Sequence, residues 1–556
     1  MAQLLRERGI HERTLHMKSI ATILSIIALG LGLVSCSGGG GGGGGSSTPA
    51  FAISTTAADY GVVGKPYTST LAATGGTAPF TWTVFISSVL PSGLLLNGAT
   101  GVVSGTPTAV GSFNVTFTVT DSTGKTAPGS VLFAIHPRTD RVSVDSNGLA
   151  VSGASSAPSI SGDGSLVAFV SLASFVTGVT GSQVYVHNRE TSQIEVISRD
   201  SDTTVVNAGG GVSSDPAISA DGRFVAFVSQ STNLVAGVSG QQVYLRDRQT
   251  GQTTLVSRNT AGLTASTGSN NTAPAISSDG QFVAFVSNAS NLVTGGISGQ
   301  QIYIRDTVNG TTSLISKDNN LTPIRGDGPS STPSISSNGQ VIAFASVSTN
   351  LLSPDPAVAG QQIYVHDRLV GANGTTSLVS KDGTGIAGSG NSSTPSINGD
   401  GLFVAFMSLA TNLVVASVSG QQIYLHDRNT GANGTNSLVS HDNNGSPAQG
   451  NGASSVPSIS SNGQVIAFAS VSTNLLNPAP AVAGQQIYSH DRLAGANGTT
   501  SLVSKDNSVT PVAGLGTSDT PSTSSNGSFV AFSSSATNLV TAPPAAPSDI
   551  YIRALP

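Results

Sequence analysis

The sequence predicts an all-β chain: a small antiparallel sandwich followed by a ring of seven four-stranded blades. Three observations predict it. A unit typified by Asp215-Pro-Ala-Ile-Ser-Ala-Asp-Gly-Arg-Phe-Val-Ala-Phe-Val-Ser229 recurs seven times, with its proline at Pro158, Pro216, Pro274, Pro333, Pro395, Pro457 and Pro521. A period of about 60 residues with strand chemistry inside each unit is the mark of a circular repeat array. No segment after Val34 has helical periodicity, whereas Phe113–Thr120 alternates apolar and polar residues as a half-buried strand does.

The N-terminus reads as an address and an anchor. An apolar run from Ile20 to Val34 follows Lys18 and ends in Leu33-Val34-Ser35-Cys36, which holds the chain's only cysteine. The run has signal-peptide length and falls short of a membrane span. One cysteine excludes an intrachain disulfide and a thiolate metal cage. The stretch resembles the bacterial lipoprotein box, and the resemblance implies that residues 1–36 are a signal peptide and that Cys36 is acylated; Met17 stands as an alternative start. Eight glycines, Gly38–Gly45, then make 37–50 a flexible tether.

Residues 51–137 follow as short strands separated by Gly and Pro turns, with Trp82, the sole tryptophan, placed between two sheets. The run Leu90-Pro-Ser-Gly-Leu-Leu-Leu-Asn97, then Thr100–Pro107, Gly111-Ser-Phe113 and Val119-Thr-Asp121, is similar to the immunoglobulin-like domain family of bacterial surface proteins, a relative of cadherin-like domains. That likeness implies an Ig-like sandwich and raises Ca²⁺ as a ligand, with Asp121 as its candidate. Calcium takes six to eight oxygens. Only Asp59, Asp121 and Asp140 are on offer, unclustered in sequence, so Asp121 reads first as a turn residue.

Residues 138–556 hold the repeats. In the second unit the expected strands are Pro216–Ser219, Phe224–Ser229, Gln242–Arg246 and Thr254–Ser257. Four-stranded units stacked about an axis make a β-propeller. The shared Pro-Ser-Ile-Ser-x-Asp/Asn-Gly-x-x-Val-Ala-Phe element resembles TolB-type propeller repeats, which usually number six where this chain has seven. The last unit stops after Ile550-Tyr-Ile-Arg553 without a fourth strand. Residues 141–145, of the same type as Thr254-Leu-Val-Ser-Arg258, are expected to supply it and close the ring, removing two free sheet edges.

The loops divide between two faces. Turns such as Ala220-Asp-Gly222 are tight; the second-to-third and fourth-to-first loops are longer and more varied, and their face is the one expected to bind. It presents Asn233, Asn291, Asn350, Asn412, Asn474 and Asn538, each before a leucine. They read as a ring of amides for a polysaccharide or peptide, or as loop caps. A second recurrent position carries His187, Arg246, Arg305, His366, His426, His490 and Arg553. One basic group per blade is too dispersed for a shared metal, so a structural role is expected.

Charge limits the function. Only 9% of residues are charged. Without residues 1–36 the chain holds 19 basic and 26 acidic groups, a net of −7, with no basic stripe for nucleic acid. No nucleophile elbow, zinc-protease motif, P-loop or dinucleotide fingerprint is present. The sequence therefore predicts a monomeric, lipid-anchored binding or adhesion scaffold of the bacterial cell envelope, on the periplasmic or surface face of the outer membrane. It would touch the membrane only through its anchor and recognise an envelope protein or polysaccharide. The alternatives are an envelope hydrolase or lyase using acids on the long-loop face, and a passive spacer.

Overall fold

The computed structural model describes residues 49–201, 208–266, 268–295, 299–320, 322–352, 360–415, 418–444, 446–476, 484–508, 510–542 and 546–556. The expected signal peptide, Cys36 and the glycine tract lie outside the described residues. Those described form strands and loops, and no helix among them is long and apolar enough to cross a membrane.

The sandwich sets one sheet, in the order Gly61–Val62, Thr126–His136, Gly111–Thr120 and Thr81–Val84, beside another, Tyr67–Thr70, Val102–Gly105 and Leu94–Asn97. Alternation buries Val115, Phe117, Val119, Val131 and Phe133 completely, and Trp82 joins them. A side chain at Gly101, whose φ is +72°, would sit 2.9 Å from the Trp82 indole nitrogen, so both the turn and the space there call for glycine.

From Thr139 onward the repeats give seven four-stranded antiparallel sheets. The second is typical: Ser213–Ile218, Phe224–Ser229, Gln242–Asp247 and Gln252–Leu255. Its two middle strands are buried on both faces, which is why they read as unbroken apolar runs, and Phe227 stacks on Tyr244 at 5.7 Å. The first strand begins earlier than expected because the chain bulges between Ser214 and Ala217. Proline cannot donate to a ladder, and the residue before it, Asp215, takes φ +50°; Ala157, Ala273, Thr332, Thr394, Val456 and Thr520 repeat this in the other sheets.

The fourth strand ends two residues before the expected Ser257. Val256 N and Ser257 N both donate to Val243 O (2.9 and 3.3 Å), so the chain peels from the ladder at this Val-Ser pair. The same offset moves the closing strand. Residues 141–145 were its expected span; the strand that pairs with Asp549–Ala554 is Thr139–Arg141, with Thr139 opposite Arg553 and Arg141 opposite Tyr551. Val142 N and Ser143 N then both donate to Ile550 O, and Val144 and Asp145 belong to a turn instead, Val144 bridging Ala150.

The innermost strand ends meet around one axis. Backbone amides donate from Gly162 to Ala220, Ala220 to Ser278, Ser278 to Ser337, Ser337 to Gly399, Gly399 to Ser461, Asn462 to Ser525, and Ser525 back to Gly162, at 2.8 to 3.1 Å. A second belt runs beside it: Ile218 N donates to Ser159 Oγ, Ile397 N to Ser334 Oγ, Ile459 N to Ser396 Oγ, Thr523 N to Ser458 Oγ and Ile160 N to Ser522 Oγ. Ala217 and Ala275 stand where the other sheets have serine, and there the second belt has no hydroxyl.

Candidate functional site

Two concavities of the folded unit bear on function. The axial channel is small, about 130 Å³, and lined by repeated Ile, Gly and Ser positions such as Ile218, Ser278 and Gly399. A groove of about 1070 Å³ runs where the sandwich meets the closing sheet and the first sheet. Its wall mixes exposed aliphatics (Val110, Leu132, Leu149) with hydroxyls and amides (Ser112, Asn507, Ser508, Thr541), and its titratable groups are His136, Asp140, Arg141, His187, Glu190 and Asp506. A concave, mostly apolar surface with a few convergent polar groups is the usual form of a ligand site.

The sandwich is held onto the propeller beside this groove. The Tyr60 hydroxyl donates to Asp163 O (2.7 Å), its ring packs on Phe529 (5.8 Å), and the Arg189 guanidinium lies over it at 4.8 Å. Burial pushes the Tyr60 phenol up to about 12. His136, the last residue of a sandwich strand, donates through Nδ1 to Asp140 Oδ2 at 2.9 Å. Burial pushes the Asp140 carboxyl up, but the His136 bond and charge hold it below the usual range. His187 is pushed down to about 4 by burial, partly offset by Asp140, and both its ring nitrogens lack a partner. Burial also raises the Glu190 carboxyl. His136 Nε2 receives no hydroxyl, so the Asp–His pair is not part of a nucleophile–base chain among the described residues.

The asparagine ring has a definite job in the fold. Asn412 Oδ1 accepts from Ser389 N (2.8 Å) while Nδ2 donates to Ala387 O (3.0 Å). Asn233, Asn291, Asn350, Asn474 and Asn538 make the same two bonds, to Gly210 and Ala208, Ser266 and Thr264, Asp327 and Arg325, Asn451 and Gln449, and Leu515 and Ala513. Each amide thus clamps the connection that enters its own sheet from the preceding one, 23 to 27 residues back, and not the loop that carries it. Only Asn538 lines the groove. In the first sheet Phe175 stands at the clamp position and packs on Phe169 and Tyr185, while Ser174 beside it donates to Val179 O within its own loop.

Asp121 is buried. Its Oδ1 accepts from Thr123 N, Thr123 Oγ1 and Lys125 N (2.9, 2.6 and 3.0 Å), and Oδ2 from Thr77 N (3.2 Å). These bonds hold its carboxyl low and tie a turn together. Among the described residues no three His, Cys, Asp or Glu side chains are placed to hold a metal. The recurrent basic position is spent between sheets: Arg246 donates to Asp200 O (2.7 Å), Arg305 to Asn259 O (3.1 Å) and Arg553 to Lys505 O (2.8 Å). His366 and His490 pair with Thr376 and Thr500, and burial pushes both down to about 4. The groove itself was not legible in the sequence, because it joins residues more than 350 positions apart, such as His136 and Asn507.

Residues 49–135 match the family model described as "Putative Ig domain". No curated protein matches the chain. Among solved structures, it is similar to an oligogalacturonate lyase from Vibrio parahaemolyticus, with 13% identity, 81% of this chain and 99% of that chain covered, and a TM-score of 0.45. It is also similar to the β-propeller domain of the Trilobed protease from Pyrococcus furiosus, at 12% identity, 69% and 90% coverage, and a TM-score of 0.41. A puromycin-hydrolyzing peptidase from Mycobacterium tuberculosis superposes at 13% identity, 84% and 63% coverage, and a TM-score of 0.35. Superpositions this loose say nothing about activity.

Proposed function

We propose that the chain is a lipid-anchored binding scaffold of the bacterial cell envelope: a closed seven-bladed, TolB-type propeller that, with its Ig-like sandwich, holds a stretch of glycan or peptide in the groove between them. The observation that carries this reading is the groove's lining. Among the described residues the sheets repeat near-copies of one surface, whereas the groove combines residues from the sandwich, the first sheet and the last into a non-repeating wall. Recognition needs such unlike groups at one place. The anchor at Cys36 and an outer-membrane location rest on the sequence of residues 18–45. The asparagine clamps serve this function by keeping the loops stiff, which lowers the ordering entropy lost on binding.

Glycan and peptide arrays probed with the intact protein test the proposal. Wild type should retain a restricted set of ligands, and Ser112→Trp, which fills the groove from an exposed position, should lose them with its melting temperature unchanged. Equal binding by both proteins would refute it. A second reading, a glycan hydrolase or lyase, has one observation in its favour: Glu190 lies in the groove with its carboxyl raised by burial, as a general acid requires. It would be supported if bound ligands were turned over and Glu190→Gln stopped turnover while leaving binding intact.

A further inference from the structure

The chain is acidic and poor in charge, yet four of its 23 basic residues converge beside the closing strand. Ala554 N donates to Arg138 O (2.8 Å), fixing Arg138 next to the last strand. Arg138 reaches into the sandwich, where Nε and Nη2 donate to Val63 O and Gly64 O (3.5 and 3.3 Å), next to Lys65. From the other side, Arg553 Nη1 donates to Lys505 O (2.8 Å) and Thr139 Oγ1 donates to the same oxygen (2.8 Å), which brings Lys505 to the spot.

Among the described residues the charge of this group is offset only in part, by the attraction of Asp506 for Arg553. None of the four forms an ion pair, and the ammonium nitrogens of Lys65 and Lys505 make no hydrogen bond among the described residues. The adjacent carboxylate, Asp506, is turned to its own loop, accepting from Ser508 Oγ (2.7 Å) and Val512 N (2.8 Å). Burial lowers Lys65, Lys505 and Arg553, the last to about 10, and their mutual repulsion with Arg138 lowers them further. Like charges gathered at a half-buried joint destabilise it unless something else supplies the anion.

We propose that Lys65, Arg138, Lys505 and Arg553 form an anion-binding site for the sulfate or phosphate ester groups of an acidic polysaccharide. Pro137 and Asp506 line the groove while their neighbours Arg138 and Lys505 belong to the cluster, so the site adjoins the groove and extends the reading given above, on which it rests for the rest of the polymer. Two features favour a soluble polysaccharide over a bilayer or nucleic acid. The cluster adjoins a concave wall that carries hydroxyls and amides suited to a sugar chain, and the groove lining contains no tyrosine, tryptophan or phenylalanine on which bases could stack.

The test uses the intact chain and four probes: dextran sulfate, unmodified dextran, phosphatidylglycerol vesicles and a single-stranded RNA. Wild type should bind dextran sulfate, and more weakly as salt rises, while ignoring dextran. Lys65→Gln with Lys505→Gln should weaken that binding by about tenfold per lysine, and the Lys→Arg pair should restore it. The Gln pair should melt no lower than wild type, because it relieves repulsion, so a loss of binding cannot be ascribed to unfolding. Unchanged dextran sulfate binding by the Gln pair overturns the site, as does equal binding of dextran, and binding of vesicles or RNA in place of dextran sulfate overturns the ligand class. If Ser112→Trp loses its array ligands while the Gln pair binds like wild type, the groove stands and the anion site falls. If the Gln pair loses dextran sulfate while Ser112→Trp keeps every array ligand, the anion site stands and the groove falls.

Discussion

Six of the sheets and the one that closes the ring solve the same problem differently. In the six, a glutamine at the start of the third strand is buried beneath the point where the fourth strand peels away. Gln183, Gln242, Gln301, Gln362, Gln422 and Gln486 each accept from a serine hydroxyl, Ser198, Ser257, Ser316, Ser380, Ser440 and Ser504, at 2.6 Å. The cage is neutral, and its strands are close neighbours in the chain. In the closing sheet Asp549 takes the place of the glutamine. Ser143 Oγ donates to its Oδ1 (2.8 Å), and Arg141, where the second sheet has Leu255, brings Nε to 3.5 Å from its Oδ2. Asp549 and Arg141 are 1% and 7% exposed. Burial holds the Asp549 carboxyl above its usual range even though Ser143 and Arg141 draw it down. A buried pair is a poor source of stability but punishes a wrong register, because any other pairing strands a charge. The comparison teaches that the sheet assembled from the two ends of the propeller is specified by charge where the local ones need only shape and hydrogen bonds.

Breaking that pair should have the largest effect. Arg141→Ala leaves Asp549 buried and uncompensated, and also removes the guanidinium bond to Ala542 O (2.6 Å). A loss of about 3–5 kcal/mol is expected from chemical denaturation. The combination Arg141→Leu with Asp549→Gln rebuilds the neutral cage of the other sheets, and most of the stability should return. If the double variant were as unstable as Arg141→Ala, the equivalence of the two designs would be wrong.

Acid sharpens a second contrast, between junctions that use arginine and those that use histidine. His366 is 1% exposed and held down to about 4. Its folded pKa lies below the unfolded value near 6.5, so the neutral ring contributes fully above that pH, and the contribution is lost as pH falls from about 6.5 to 4. The span corresponds to about 3 kcal/mol, and His490 adds a similar amount. His366→Gln should flatten the unfolding free energy against pH over this window by about that much. Replacing Arg305 with Gln should leave the slope there unchanged, since its guanidinium stays charged at every pH in the window.

Much of this was written in the chain. The prolines, the Asp-Gly and Asn-Gly turns and the doubly buried Phe-Val-Ala-Phe runs announce the sheets because each depends on neighbours within a few residues. The closing segment was also legible, two residues out of place. Its Val-Ser pair reads as strand by composition, and only the three-dimensional cage shows that both amides turn to one carbonyl. The joint was not legible. Tyr60, His136, Arg189 and Lys505 are ordinary residues in their local contexts, and what gathers them is the docking of one domain on another. Asp121 was read in the sequence first as a turn residue, and the structure ties it to a turn; the asparagine ring was read either as amides for a ligand or as caps of their own loops, whereas its bonds run to the incoming connection.

Those clamps give a smaller, graded comparison among the sheets. Asn474→Ala should remove two bonds to the backbone of Asn451 and Gln449 and leave a part-buried carbonyl without its donor. A cost of about 1–3 kcal/mol is expected. Ser174→Ala in the first sheet, where a hydroxyl donates within its own loop and not to the incoming connection, should fall at or below the low end of that range. Hydrogen exchange at the amide of Asn451 should accelerate in the first variant, and equal costs for the two would show that the clamp adds nothing beyond a single hydroxyl.

The smallest effect belongs to a place where the second sheet departs from the third, fourth and sixth on the tight-turn face. Arg223 Nη2 lies 2.7 Å from Asp247 Oδ2, whereas in the third, fourth and sixth sheets a neutral glutamine, Gln281, Gln340 or Gln464, donates to the matching aspartate. Arg223 is 39% exposed, its guanidinium lies over the Phe224 ring, and water and salt screen the pair. Arg223→Gln converts the second sheet to the design of the third, fourth and sixth, keeps a donor for Asp247 and should leave stability close to that of wild type, most nearly so at high salt. The Arg223 bond, the largest influence on Asp247, holds its carboxyl down to about 2. In the variant that carboxyl should titrate at higher pH, observable by NMR, while the denaturation midpoint barely moves. A midpoint shift as large as that of Asn474→Ala would mean that an exposed ion pair on the rim matters to the ring as much as a clamp does.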